Sequence, residues 1–200
     1  MKKVILFSLM AFVAGRILAQ NIKSIAVGSK APKTEVKMKD VTGKTVSIKD
    51  AMKQNGALVM FSCNTCPYVV KNEDRIKEIA AYALKNNIGV IILNSNEAKR
   101  NDEDGFKAMQ VYANQQGYNW YYVEDVKSEI ADAFGATRTP ETFLINTNGS
   151  IVYKGAIDDN PSEADNVKRS HLKIAIDETL SGKTVTVKES KSVGCGIKRS

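Results

Sequence analysis

Hydrophobic and polar positions alternate along the chain in blocks that predict most of its elements. From residue 25 to about 53 the text "IAVGSKAPKTEVKMKDVTGKTVSIKDAMKQNG" reads as an extended arm, in which "TEVKM" and "TVSI" alternate around a turn at "DVTGK", the mark of a short hairpin. "ALVMF" (57–61) and "IGVIILN" (88–94) are unbroken apolar runs, as strands buried on both faces require. Between them Val69, Ile76, Ile79, Ala80, Ala83 and Leu84 recur at helical spacing.

The stretch 96–117 is polar and reads as an insertion carrying a helix over 104–115; "NWYYVED" follows as a short strand and "SEIADAFG" as a short helix closed by Gly135. "TFLINTNGSIVYKGAI" predicts a hairpin turning at Asn148-Gly149. Leu172, Ala175, Ile176 and Leu180 then share one face of a closing helix. Buried strands joined by helices and followed by an antiparallel hairpin define an α/β fold with a mixed sheet.

Composition changes the picture at the ends. "MKKVILFSLMAFVAGRILAQ" has Lys2 and Lys3 before an apolar run and a small residue at Ala19, so residues 1–19 read as a signal peptide and 20–200 as one mature, exported domain, periplasmic or extracellular. The apolar run is too short to span a bilayer, and no stable membrane insertion is expected once the leader is removed. Loss of Lys2, Lys3 and Arg16 would take the formal charge from +7 to +4, and the other basic residues are interleaved with acids, so no nucleic-acid surface is expected. From about residue 186 the polar, glycine-containing "KESKSVGCGIKRS" reads as a mobile tail.

The chemistry concentrates in "CNTCPYV". Cys63 and Cys66 stand between a buried strand and a helix, where unpaired N–H groups and the helix dipole favour a thiolate. Asn64 and Thr65 suit helix capping and Pro67 a first helical turn. One helical turn carries both sulfurs to disulfide distance, with Cys63 placed to attack and Cys66 to resolve. Thr139-Pro140 opens a strand, a position that suits a cis bond, and would offer the Thr139 backbone to an extended substrate segment.

These residues carry a resemblance. "CNTCPYV" (63–69), "RTPETFLI" (138–145), "YKGAIDD" (153–159) and "VGCGIK" (193–198) resemble the thioredoxin-like superfamily, and within it the peroxiredoxin-like and TlpA-like redoxins, over about residues 26–198. The resemblance implies a thioredoxin-like fold with an N-terminal hairpin extension and a thiol-disulfide oxidoreductase. Cys63 becomes its nucleophile, Cys66 its resolving thiol and Thr139-Pro140 its cis-proline loop, with Asn64 and Thr65 beside the substrate. Protein disulfides or dithiols and an upstream thiol reductant or oxidant would be its partners, and no metal or organic cofactor is required.

The chain also departs from the pattern. Ala57 stands where thioredoxins carry a buried aspartate, leaving Glu141 and Glu73 as substitutes, and the peroxidatic Pro-x-x-x-Thr/Ser-x-x-Cys pattern is absent, Met60 preceding Cys63 by three residues. A thiol peroxidase is therefore the alternative enzyme. A permanent structural disulfide is another reading of the pair, and a metal site built from Cys63, Cys66 and Cys195 or His171 is the alternative of a different class. Cys195 leaves an odd count, as a further redox thiol, an intermolecular partner or an inert residue. Asp158 and Asp159 read as turn residues, Trp120 as a core or cover residue and His171 as a half-buried helix residue.

Overall fold

A computed structural model describes residues 22–200, so the proposed leader lies outside the described residues. In chain order the elements are β1 (Met38–Lys39), β2 (Thr45–Val46), α1 (Ile48–Ala51), β3 (Ala57–Ser62), α2 (Pro67–Lys85), β4 (Gly89–Asn94), α3 (Phe106–Gln116), β5 (Tyr121–Glu124), α4 (Glu129–Phe134), β6 (Arg138–Thr139), β7 (Glu141–Ile145), β8 (Ile151–Gly155), α5 (His171–Leu180) and β9 (Cys195–Gly196). The central sheet runs β5-β4-β3-β7-β8, with β3, β4 and β5 parallel and β7 and β8 antiparallel to their neighbours. The sequence reading of a mixed sheet is what the chain forms.

Strand pleating sorts the apolar runs into two cores. Leu58, Met60, Val90, Ile92 and Leu144 face the layer of α2, α3 and α5, packing on Val69, Ile76, Ala80, Met109, Leu172 and Ile176. Val59, Phe61, Ile91, Leu93, Phe143 and Ile145 face α1 and α4. There Phe61, Phe134 and Phe143 pack edge to face with ring centroids 5.1–5.7 Å apart. Burial of each such side chain contributes about 1.5–3 kcal/mol, which makes β3 the best-anchored element leading into the cysteine loop.

The arm differs from the expected hairpin. Its strands shrink to two residues each, paired Met38 with Val46 and Lys39 with Thr45. Ser47 and Asp50 exchange hydrogen bonds in a capping box that starts α1, so Ile48 is helical. The Ser-x-x-acid signal outweighed the alternation. Gly89 shows why α1 packs so closely here, because a Cβ would sit 1.6 Å from the Ala51 carbonyl oxygen.

Two further expectations change. The helix of the insertion begins at Phe106 with Gly105 as its N-cap, which frees Asp104 from the helix. The tail lies docked along the domain: Lys154 N–H donates to Lys188 O (3.0 Å) and Ser190 N–H to Lys154 O (3.1 Å). The Ser190 hydroxyl meets Tyr153 OH (2.6 Å) and the Ala156 N–H (2.9 Å). The chain then crosses to pair β9 with β6. Backbone pairing, which composition does not report, holds the segment.

Candidate active site

β3 ends at Ser62 and α2 begins at Pro67, so the four residues between them form a loop suspended from the sheet. Cys66 is the N-cap of α2 with extended backbone (φ −62°, ψ 123°), and Pro67 follows in the first turn. Asn64 and Thr65, expected as caps, stand before the cap; Thr65 is exposed and Asn64 is buried. Both thiols are covered, Cys63 being 2% and Cys66 4% exposed.

The cis Thr139-Pro140 bond lies directly against the pair. The Thr139 hydroxyl is 3.4 Å from the Cys63 sulfur, and the Cys66 thiol donates to the Thr139 carbonyl at 3.3 Å. On the other edge of Thr139 lies Cys195, its register partner in β9. Cys195 is half-buried and packs against the core cluster that holds Cys63 and Cys66, so the three cysteines, all free thiols, lie around Thr139.

The two active thiols share a proton, and their surroundings divide it unequally. The neighbouring Cys63 thiol first, and then Cys195 and the Val69 N–H, favour the charged form of Cys66 against the cost of its burial and hold it down at about 4. Cys63 is pushed up, because its S–H is the donor to Cys66, because it is desolvated, and because the Asp104 charge faces it. When the pair loses its first proton the charge falls on Cys66, at the helix N-terminus, and the hydrogen bond to the Thr139 carbonyl belongs to the protonated form.

Asp104 was not legible as a site residue. It is fully buried, and its Oδ1 accepts from the Asn64 N–H (2.9 Å) and Asn94 Nδ2 (2.6 Å), its Oδ2 from Asn96 Nδ2 (2.8 Å). The Asn64 side chain is spent on the same wall: Nδ2 donates to Glu103 O (2.6 Å), and Oδ1 accepts from Tyr122 OH (2.7 Å). Asn64 therefore holds the loop against this wall, with its side-chain amide already paired. The available signal was the pair of asparagines closing the apolar β4 run, polar groups that a buried end obliges to find partners.

The two carboxylates expected to replace the missing aspartate are elsewhere. Glu73 accepts from Tyr112 OH (2.6 Å) and Tyr118 OH (3.2 Å), and burial raises its pKa. Glu141 accepts the Thr137 and Arg138 N–H groups at 2.8 and 3.0 Å, bracing β6, and burial raises it too. Asp104 is the carboxylate whose charge reaches Cys63.

The remaining candidates do not join the site. His171 heads α5 near Asp159, and among the described residues no group of three or more His, Cys, Asp or Glu side chains is placed to hold a metal ion. Asp158 accepts the Asn160 N–H in its turn and pairs with Arg75 Nη1 at 2.6 Å. Asp159 accepts the Lys168 N–H, and Trp120 stacks on Tyr118 with centroids 4.7 Å apart.

A strand, a Cys-x-x-Cys helix start and a cis-proline loop around one mixed sheet define a thioredoxin-like protein. The family model for Redoxin matches residues 26–169, and the chain belongs to that family. It is 25% identical over 130 residues to the thiol-disulfide oxidoreductase ResA of Bacillus subtilis (strain 168), covering 65% of this chain and 67% of that one. Among solved structures it is similar to an uncharacterised conserved protein from Geobacillus kaustophilus, with 29% identity, TM-score 0.81 and coverage of 88% and 93% of the two chains. A hypothetical protein from Sinorhizobium meliloti 1021 follows with 30% identity, TM-score 0.78 and coverage of 89% and 97%.

Proposed function

We propose that this redoxin is a thiol-disulfide oxidoreductase that exchanges disulfides with protein partners through Cys63 and Cys66. The observation that carries the reading is the contact of both thiols with Thr139 of the cis-proline loop, at 3.4 and 3.3 Å. The kinship with the ResA oxidoreductases supports it.

The shared proton fits the chemistry. Cys63 passes its proton to the Cys66 thiolate as its own sulfur attacks a substrate disulfide; one substrate sulfur leaves with the electron pair and takes that proton from Cys66. Cys66, a thiolate again, attacks the Cys63 sulfur and releases the second substrate sulfur, leaving a Cys63–Cys66 disulfide. The oxidising direction is the same sequence reversed. Exposed Thr65, Pro67 and Val70 (57% exposed) rim the loop and offer an apolar contact to a protein partner.

In a coupled assay of insulin or glutathione-mixed-disulfide reduction, Cys63→Ser combined with Cys195→Ser, which leaves Cys66 without a partner thiol, is expected to fall to background. Cys66→Ser is expected to accumulate mixed disulfides on Cys63. Full activity of both variants would overturn the reading. Export is part of the proposal and rests on the pattern of residues 2–19; amino-terminal sequencing of protein recovered from the cell envelope should begin at or near Gln20.

A further inference from the structure

β9 occupies the edge to which an extended exchange partner would pair. Thr139 is touched by both active thiols, and its free edge is paired antiparallel with Cys195, with Arg138 opposite Gly196. The approach is close, since a methyl group on Gly194 would lie 2.1 Å from the Thr139 carbonyl oxygen. The strap is pinned beyond the strand as well. Ile197 N–H donates to Thr137 O (3.0 Å), Lys198 N–H to Asn96 Oδ1 (2.8 Å), and Arg199 Nη2 to Ala136 O (2.6 Å). It places Cys195 opposite Thr139, whose carbonyl oxygen Cys66 touches, and packs it against the cluster that holds both thiols, and of the three cysteines only Cys195 is more than marginally exposed.

The geometry points to Cys195 as a third redox thiol of this site, one that takes over the disulfide of the buried pair as a Cys66–Cys195 linkage and so carries it to the surface. This rests on the exchange reading above. In the step, Cys195 gives up its proton and its thiolate attacks the Cys66 sulfur. The Cys66–Cys195 bond forms as the Cys63–Cys66 bond breaks, and Cys63 leaves with the electron pair and takes up a proton. One disulfide and one thiol exist before and after, so nothing external is consumed. A partner dithiol then attacks Cys195, Cys66 leaves, and the partner's second thiol resolves the mixed disulfide, so that the partner ends as a disulfide and all three cysteines as thiols. The strap thus fills the substrate edge and supplies the thiol that unloads the site.

The test is disulfide mapping by mass spectrometry after acid quenching, on wild type, Cys63→Ser, Cys195→Ser and Gly194→Ala equilibrated in glutathione buffers. Cys63→Ser is expected to form an intramolecular Cys66–Cys195 disulfide, and Cys195→Ser a Cys63–Cys66 disulfide. Gly194→Ala touches no thiol but forces β9 off Thr139; it should lower the Cys66–Cys195 share about tenfold, as a backbone overpacking clash implies, while the Cys63–Cys66 linkage persists. Cys63→Ser that keeps two free thiols or binds only glutathione, with Cys195→Ser still forming its disulfide, overturns the role of Cys195 alone. Cys195→Ser that forms no disulfide overturns the exchange reading itself.

Discussion

Cys63 and Cys66 are one helical turn apart and live in opposite surroundings. Behind Cys63 stands the polar wall of the insertion, with the buried Asp104 carboxylate tied to Asn64, Asn94 and Asn96. Beside Cys66 stand the α2 N-terminus, the Val69 N–H and the Cys195 thiol. A negative wall on one side and donors on the other place the charge on Cys66 and the proton on Cys63. The lesson is that the strand-loop-helix frame supplies proximity, while two segments outside it, the insertion and the tail, set the electrostatics.

The largest effect that sharpens the contrast comes from removing the wall. Asp104→Ala leaves three buried donors unpaired and should cost about 3 kcal/mol or more in urea unfolding. Asp104→Asn keeps acceptor capacity and removes the charge; in a Cys195→Ser background, where only two thiols titrate, Cys63 should then ionise at lower pH, read as an earlier second step in ultraviolet thiolate absorbance. An unchanged second step would separate Asp104 from the thiol chemistry.

The Cys66 side predicts a pH dependence of stability. A thiol held at about 4 in the fold, against an ordinary 9.0, adds stability that is full above 9, declines as the pH falls and is gone below about 4. The reduced protein should therefore gain on the disulfide form as pH rises from 5 to 8, and Cys66→Ser, which has no disulfide form, should show no such rise in its own unfolding midpoint. Thermal unfolding of both redox forms across that range reads it directly.

Smaller effects mark what the contrast does not involve. Ser47→Ala removes the α1 cap, far from either thiol, and should cost about 1 kcal/mol without moving the redox equilibrium. Lys49→Ala breaks the exposed Lys49–Glu35 pair and should leave the unfolding midpoint unchanged within error.

Legibility followed the same division. The apolar runs of β3 and β4, the α2 periodicity, the Asn148-Gly149 turn and the Cys-x-x-Cys, Thr-Pro constellation were readable because each is local in sequence. Asp104 was not, because it acts across 40 residues on Asn64, and its neighbours 96–105 form one short 3-10 helix and turns without periodicity. The tail read as free because composition reports solvent preference, whereas β9 is held by backbone hydrogen bonds and by the missing side chain at Gly194. Glu73 and Glu141 were nearest in sequence and proved to serve a tyrosine cluster and the β6 turn. The place of Asn64 in the motif points to a substrate contact, whereas its side-chain hydrogen bonds go to Glu103 and Tyr122.

Reversible two-electron exchange with Cys66 as the shared sulfur can be followed by equilibrating purified protein against glutathione buffers and labelling each cysteine for mass spectrometry. One reversible transition to a single intramolecular disulfide per chain is expected, with Cys66 labelled as oxidised in every such chain. Thiols that stay free or a disulfide that stays closed across the whole series, or oxidised chains in which Cys66 remains a thiol, would contradict it.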